Sequence, residues 1–180
     1  MPLSGATCAG RHDMTDTSHP RYAALAAQVI ADAASRGKML TVAESCTGGM
    51  VAAALTDITG ASAVLDRGFV TYSNAAKTDL LGVAETTLAA HGAVSADTAA
   101  EMAAGALAAT PSCELAVAIT GIAGPGGGSA EKPVGLVWFG LAVRGADVTT
   151  LKCQFDGDRT AVRTDAVETA MRLLLQGLAS

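Results

Sequence analysis

Hydrophobic positions near the start of the chain follow a helical spacing. Apolar side chains over residues 22–33 recur every three or four positions, which predicts a helix, and Gly37 lies where its C-terminal cap is expected. A short apolar run from Met39 to Ala43 then predicts a buried strand. The polar, glycine-containing residues 44–49 lead into a second helical pattern that Gly60 ends. The sequence therefore predicts a strand, a tight turn and a helix in succession.

The pattern continues to the end of the chain and predicts both helices and strands. The last helix begins after Asp158, a residue suited to cap it. The other predicted elements are a strand at 63–73, helices at 74–81 and 85–90, a helix capped by Ser95, a strand at 115–120, and a hairpin of strands 134–143 and 148–155. Helices and strands in this order predict an α/β fold, a three-layer α/β/α sandwich with a mixed β-sheet.

Length and composition are those of one domain that follows a polar tail. The chain has 180 residues, of which 50% are hydrophobic and 16% charged, so it is too apolar for an intrinsically disordered protein. Residues 1–19 are rich in Ser, Thr, Gly and Asp, and we expect them to form a disordered tail. We expect residues 20–180 to form a single domain.

The charge and the motifs that are missing exclude several classes of function. A net charge of −5 with 3% aromatic residues does not favour binding of nucleic acid. No apolar run reaches the ~20 residues of a membrane span, and the polar N-terminus is unlike a secretory signal. We therefore expect a cytoplasmic protein that binds no membrane. The cysteines form no C-x-x-C pair and no H-E-x-x-H motif occurs, so we expect no metal site.

Three polar or glycine-rich loops follow predicted strands, where ligands bind in open α/β sheets. They are residues 44–49, 72–77 and 120–129. Ser45, at a turn into a helix, is either a nucleophile whose oxyanion the free backbone N–H groups stabilise or simply an N-cap, and this turn alone favours the cap. Lys77 is either a buried general base or a solvated helix lysine, and its spacing favours the second. The loop at 120–129 matches no phosphate-binding fingerprint.

Arg159 and Arg163 lie four residues apart, so they share one face of the last helix. They fall in its first turns, where the helix dipole disfavours cations. Either the neighbouring Asp156 and Asp158 offset this cost, or an anionic ligand does. Both explanations stay open at this point.

Taken together, these segments resemble the CinA C-terminal domain family, whose stand-alone members include nicotinamide-nucleotide amidohydrolases of the PncC type. The resemblance runs from about residue 22 to the end of the chain. The matching motifs are AESCTGG at 43–49, RGFVTYSN at 67–74 with Lys77, HGAVS at 91–95, TGIAGP at 120–125, KPVG at 132–135, and GDR at 157–159 with Arg163.

The resemblance implies hydrolysis of the carboxamide of nicotinamide mononucleotide to nicotinic acid mononucleotide and ammonia, within pyridine nucleotide salvage. It implies that Ser45 is the nucleophile and that neutral Lys77 is its base. Tyr72 is expected to form a hydrogen bond with Lys77 or with the ribose. Arg163, together with Arg159, is expected to bind the phosphate. The other expected substrate-binding residues are Cys46, Thr47, Gly48, Gly49, Asn74, Thr120 and Gly121.

We expect this reaction to need no metal and no organic cofactor, and we expect the protein to form a homo-oligomer. Two alternatives stay open. In the first, the same pocket binds a nucleotide without turning it over, as a module for a partner in DNA uptake or repair. In the second, the chain is an amidase for another small carboxamide.

Overall fold

The computed structural model describes residues 21–180, in which six helices and five strands follow the predicted order. The predicted tail at 1–19 lies outside the described residues. The helices are α1 (Ala23–Ser35), α2 (Met50–Thr56), α3 (Asn74–Leu81), α4 (Glu85–His91), α5 (Ala96–Ala108) and α6 (Arg159–Ala179). The strands are β1 (Leu40–Glu44), β2 (Leu65–Val70), β3 (Leu115–Gly121), β4 (Leu136–Val143) and β5 (Thr149–Gln154).

The strands form one mixed sheet in the order β2-β1-β3-β4-β5. Strand β1 is parallel to β2 and β3, whereas β4 is antiparallel to both β3 and β5. Apolar side chains of α1, α2 and α6 pack on one face of this sheet, and those of α3 and α5 pack on the other. The predicted three-layer α/β/α sandwich with a mixed sheet is confirmed.

Three predicted strands are shorter than expected, and one of them, β5, loses a single residue at each end. The segment predicted as a strand at 63–73 begins with a 3-10 turn, Ala61–Ala63, and β2 ends at Val70 because Ser73 already caps α3. Strand β4 begins at Leu136, two residues late, because Gly135 has a φ of +91° and its α-carbon lies against the Phe155 carbonyl. A Cβ at this glycine would lie 2.0 Å from that oxygen.

Close helix packing positions α3, and Gly105 of α5 makes it possible. A Cβ at Gly105 would lie 1.8 Å from the carbonyl oxygen of Leu81, at the end of α3. We therefore expect Gly105→Ala to lower the free energy of unfolding by about 1–3 kcal/mol, the usual cost of overpacking. Urea denaturation measures this, with Ala104→Ser, exposed on the same helix, as the control. Equal stability of the two variants would contradict the packing argument.

Candidate active site

Residues from all three predicted loops meet at one cavity of about 210 Å³. This cavity lies at the carboxyl ends of β1 and β3, where an α/β sheet places its ligands. The predicted site residues that line it are Ser45, Cys46, Tyr72, Lys77, Thr120, Gly121 and Arg159. The predicted residues that are not part of its lining are Thr47, Gly48, Gly49, Asn74 and Arg163.

At the base of the cavity, the structure brings the Ser45 hydroxyl and the Lys77 amine together. The Lys77 Nζ lies 3.1 Å from the Ser45 Oγ and donates a hydrogen bond of 2.7 Å to the Thr71 carbonyl. Ser45 directly follows β1, and its N–H donates to the Ile119 carbonyl of β3. Lys77 lies on α3, which the Ser73 hydroxyl caps by accepting from the Ala76 N–H.

Lys77 is buried in the folded protein, with 1% of the residue exposed. The solvated helix lysine that the spacing favoured is therefore wrong. Because water is removed from around the ammonium group, the pKa of Lys77 is lowered from its ordinary value of 10.5. No acidic side chain among residues 21–180 forms a salt bridge with it. A neutral amine at this position has a lone pair that can accept the Ser45 proton.

Cys46 is the other nucleophilic side chain in the lining, but it is held as a thiol. Burial raises its pKa to about 11, and the nearby Glu44 carboxylate acts in the same direction. The thiolate is the reactive form of cysteine, and little of it is present at neutral pH. The hydroxyl of Ser45, with an amine beside it, is the better nucleophile.

The Glu44 carboxylate is buried and occupies the N-terminal end of α2. One of its oxygens accepts from the N–H groups of Gly49 and Val51, at 3.0 and 3.1 Å, and the other accepts from Ala52 at 2.9 Å. These donors are therefore not free for a substrate anion. Sequence reasoning missed this role, because Glu44 ends β1 and lies before the whole turn that leads into α2, outside the first-turn positions where acidic residues indicate a helix start.

The tight turn between β1 and α2 leaves few N–H groups free. The Gly48 N–H donates to the Ser45 carbonyl at 3.1 Å, so it is not free to contact an oxyanion. Within residues 21–180, the N–H groups of Cys46 and Thr47 make no hydrogen bond to another residue. These two N–H groups are the donors that remain for an oxyanion formed at Ser45.

Tyr72 and Arg159 form the rim of the cavity. The Tyr72 side chain is 62% exposed, and its hydroxyl accepts a hydrogen bond of 3.2 Å from Arg159. Arg159 also donates to the Gly124 carbonyl at 2.9 Å, in the glycine-rich loop. Of the two contacts expected for Tyr72, the hydrogen bond to Lys77 does not occur among the described residues, and the contact with the ribose stays a prediction.

Arg163 does not line the cavity and lies against the tight turn between β1 and α2. Its guanidinium donates to the Cys46 carbonyl at 3.1 Å and to the Thr47 carbonyl at 2.9 Å. The structure thus separates the two arginines that the sequence placed on one helix face. Arg159 faces the cavity, whereas Arg163 contacts backbone.

Thr120 forms another part of the wall. Its hydroxyl donates to the Ala93 carbonyl at 2.6 Å, which holds the segment before α5 against the end of β3. Asn74 begins α3 and is exposed.

Within the described chain, no group of three or more His, Cys, Asp or Glu side chains is placed to hold a metal ion. No helix over the same residues is long and apolar enough to cross a membrane.

The model of the CinA C-terminal domain matches residues 22–178, almost all of the described chain. The chain belongs to the CinA C-terminal domain family. Two relatives are similar over most of their length. Nicotinamide-nucleotide amidohydrolase PncC of Enterobacter agglomerans is 54% identical over 159 residues, which cover 86% of this chain and 96% of that protein. The protein of the same name from Escherichia coli K12 is 57% identical over 143 residues, which cover 79% of this chain and 86% of that protein.

Solved structures of the family share the fold of this chain. The crystal structure of the competence/damage inducible protein CihA from Agrobacterium tumefaciens is similar with a TM-score of 0.86 at 49% sequence identity. The match covers 93% of this chain and 100% of that one. The fold described above is therefore that of the CinA family.

Proposed function

We propose that this chain hydrolyses the carboxamide of nicotinamide mononucleotide to nicotinic acid mononucleotide and ammonia, with Ser45 as the nucleophile and Lys77 as its base. The observation that carries the proposal is the buried Lys77 amine 3.1 Å from the Ser45 hydroxyl in a lined cavity. The names of the two PncC relatives supply the substrate and the reaction class. We also propose that the product enters pyridine nucleotide salvage in the cytoplasm.

The first half of the reaction forms an acyl-enzyme. The lone pair of neutral Lys77 accepts the Ser45 proton while one of its N–H bonds stays directed to the Thr71 carbonyl. The Ser45 oxygen attacks the carboxamide carbon, and the carbonyl oxygen becomes an oxyanion. When the tetrahedral intermediate collapses, the C–N bond breaks and the Lys77 ammonium returns its proton to the leaving nitrogen. Ammonia departs and an ester with Ser45 remains.

The second half repeats these steps with water. Lys77, neutral again, accepts a proton from a water molecule that attacks the ester carbon. A second oxyanion forms and collapses, the ester C–O bond breaks, and the Lys77 proton returns to Ser45. The N–H groups of Cys46 and Thr47 are the donors we assign to both oxyanions.

Arg159 is the cation we assign to the substrate phosphate, because it lies at the rim and keeps donors beyond those bonded to Gly124 and Tyr72. Arg159→Ala is expected to raise the KM for the mononucleotide by about 10- to 100-fold, as expected for loss of a charged hydrogen bond. The kcat should change little. Nicotinamide riboside, which has no phosphate, is the control substrate. Equal losses on both substrates would contradict the phosphate contact.

An ammonia assay with the mononucleotide tests the function itself. Release of one ammonia for each nicotinic acid mononucleotide formed is the expected result. If the mononucleotide raises the Tm without any ammonia, the chain is a nucleotide-binding module. If only other carboxamides react, the chain is an amidase as proposed, but nicotinamide mononucleotide is not its substrate. The expected homo-oligomer is tested separately by sedimentation of the full chain.

A further inference from the structure

The turn that carries the nucleophile is held from two sides. On one side, the Glu44 carboxylate binds three N–H groups at the beginning of α2. On the other, the Arg163 guanidinium of α6 binds the carbonyls of Cys46 and Thr47. A buried anion and a half-buried cation thus fix successive peptide units of the same short segment.

The contact with the Cys46 carbonyl has a geometric consequence. The peptide unit that joins Cys46 to Thr47 is planar, and in the trans form its C=O and N–H point in opposite directions. When Arg163 holds the Cys46 oxygen, the Thr47 N–H is therefore directed away from Arg163. Arg163 binds the turn from outside the cavity. Thr47 is itself buried and outside the lining, but it directly follows Cys46, which lines the cavity, and its N–H makes no hydrogen bond to another residue.

We propose that Arg163 is a positioning residue that orients the Thr47 N–H as an oxyanion donor, rather than a ligand of the substrate phosphate. The inference rests on the proposed function of Ser45. Without Arg163, the Cys46–Thr47 peptide unit loses its partner and can rotate. An N–H that rotates out of line contributes little to the transition state, because catalytic donors act only when they are already oriented.

The fork of the guanidinium explains why an arginine is needed. Its Nε and Nη2 contact the two successive carbonyls at 3.1 and 2.9 Å. A lysine has the same charge but presents a single ammonium, which cannot reproduce this pair of directed contacts. The lysine variant therefore separates orientation of the turn from the effect of charge alone.

Steady-state kinetics of Arg163→Ala and Arg163→Lys test the proposal. On both the mononucleotide and the riboside, Arg163→Ala is expected to lower kcat by about 100-fold, the order of loss for one oxyanion donor, with little change in KM. Arg163→Lys is expected to recover less than half of that loss on a logarithmic scale. Arg172→Ala, an exposed arginine of the same helix paired with Glu168, is the matched control and should behave as wild type.

A fluorophosphonate that reacts with activated serines gives a measurement that does not depend on the natural substrate. Wild type and Arg172→Ala are expected to be phosphonylated at the same rate, and Arg163→Ala about 100-fold more slowly. Guanidinium ion added to Arg163→Ala should restore part of the rate. If wild type is trapped but releases no ammonia from the mononucleotide, the proposed substrate fails while the role of Arg163 stands.

Three results would overturn the proposal. The first is trapping of Arg163→Ala at the wild-type rate. The second is a raised KM for the mononucleotide alone, which would make Arg163 a phosphate ligand. The third is full activity of Arg163→Lys, which would mean that charge suffices. Circular dichroism of each variant checks its fold, and Arg163→Lys serves as the test if the alanine variant does not fold.

Discussion

Replacing Ser45 with alanine is expected to abolish ammonia release from nicotinamide mononucleotide, with a fall in kcat of about 10⁴-fold or more. The variant loses the oxygen that forms the acyl-enzyme, and Lys77 then has no hydroxyl to deprotonate at 3.1 Å. The fold should persist, because the Ser45 N–H still donates to the Ile119 carbonyl. A continuous ammonia assay measures the rate, and thermal unfolding measures the stability.

The matched control for this variant is Ser35→Ala, at an exposed serine near the end of α1. It should keep the wild-type rate. The result that would reassign the nucleophile is turnover retained by Ser45→Ala and lost by Cys46→Ala. The structure argues against that result, since the pKa of Cys46, raised to about 11, leaves it a thiol at neutral pH.

Capping residues and apolar runs in the sequence were sufficient to predict the helices and strands that surround the site. Helix α3 begins and ends where the sequence predicted, because Ser73 caps its first turn and Gly82, with a φ of +66°, ends it. The hairpin of β4 and β5 was predicted from two apolar runs around a polar turn. Such features depend on neighbours in sequence, and sequence patterns record them directly.

Burial of Lys77 was not predictable in the same way. Helical spacing gave no reason to bury a lysine on a short helix, and only the family resemblance indicated a base. Its helix, α3, packs against α5 at Gly105, 28 positions along the chain from Lys77. Contacts between distant segments leave no periodic pattern, so single-sequence reasoning favoured the wrong environment.

The two arginines of α6 show the same limit. Their four-residue spacing predicts a common helix face, and that is all it predicts. Although they are one helical turn apart, Arg159 lies at the rim of the cavity, whereas Arg163 contacts the backbone of the segment that follows Ser45. Their different contacts depend on which loop lies opposite each side chain, and the spacing does not record this.

Lys77→Met is the second variant with a large expected effect, because it removes the base and keeps the length of the side chain. Its kcat is expected to fall by about 10⁴-fold or more, since Ser45 alone is a weak nucleophile. In wild type, kcat/KM should rise with pH as Lys77 loses its proton. The midpoint should lie below 10.5, because burial lowers the pKa of this amine. The methionine variant should show no such rise.

The lowered pKa of Lys77 also affects stability. The substitution Lys77→Met removes activity, but it is not expected to lower the free energy of unfolding at neutral pH. Between the lowered pKa of folded Lys77 and 10.5 in the unfolded chain, the unfolded state binds more protons. The free energy of unfolding of wild type therefore gains a contribution as pH rises through this window and loses it as pH falls. Lys77→Met lacks that dependence and should be at least as stable as wild type at neutral pH. Urea denaturation of both proteins at neutral and alkaline pH measures the difference. A difference that does not change with pH would mean that Lys77 is charged in the folded enzyme, and would remove the base from the mechanism.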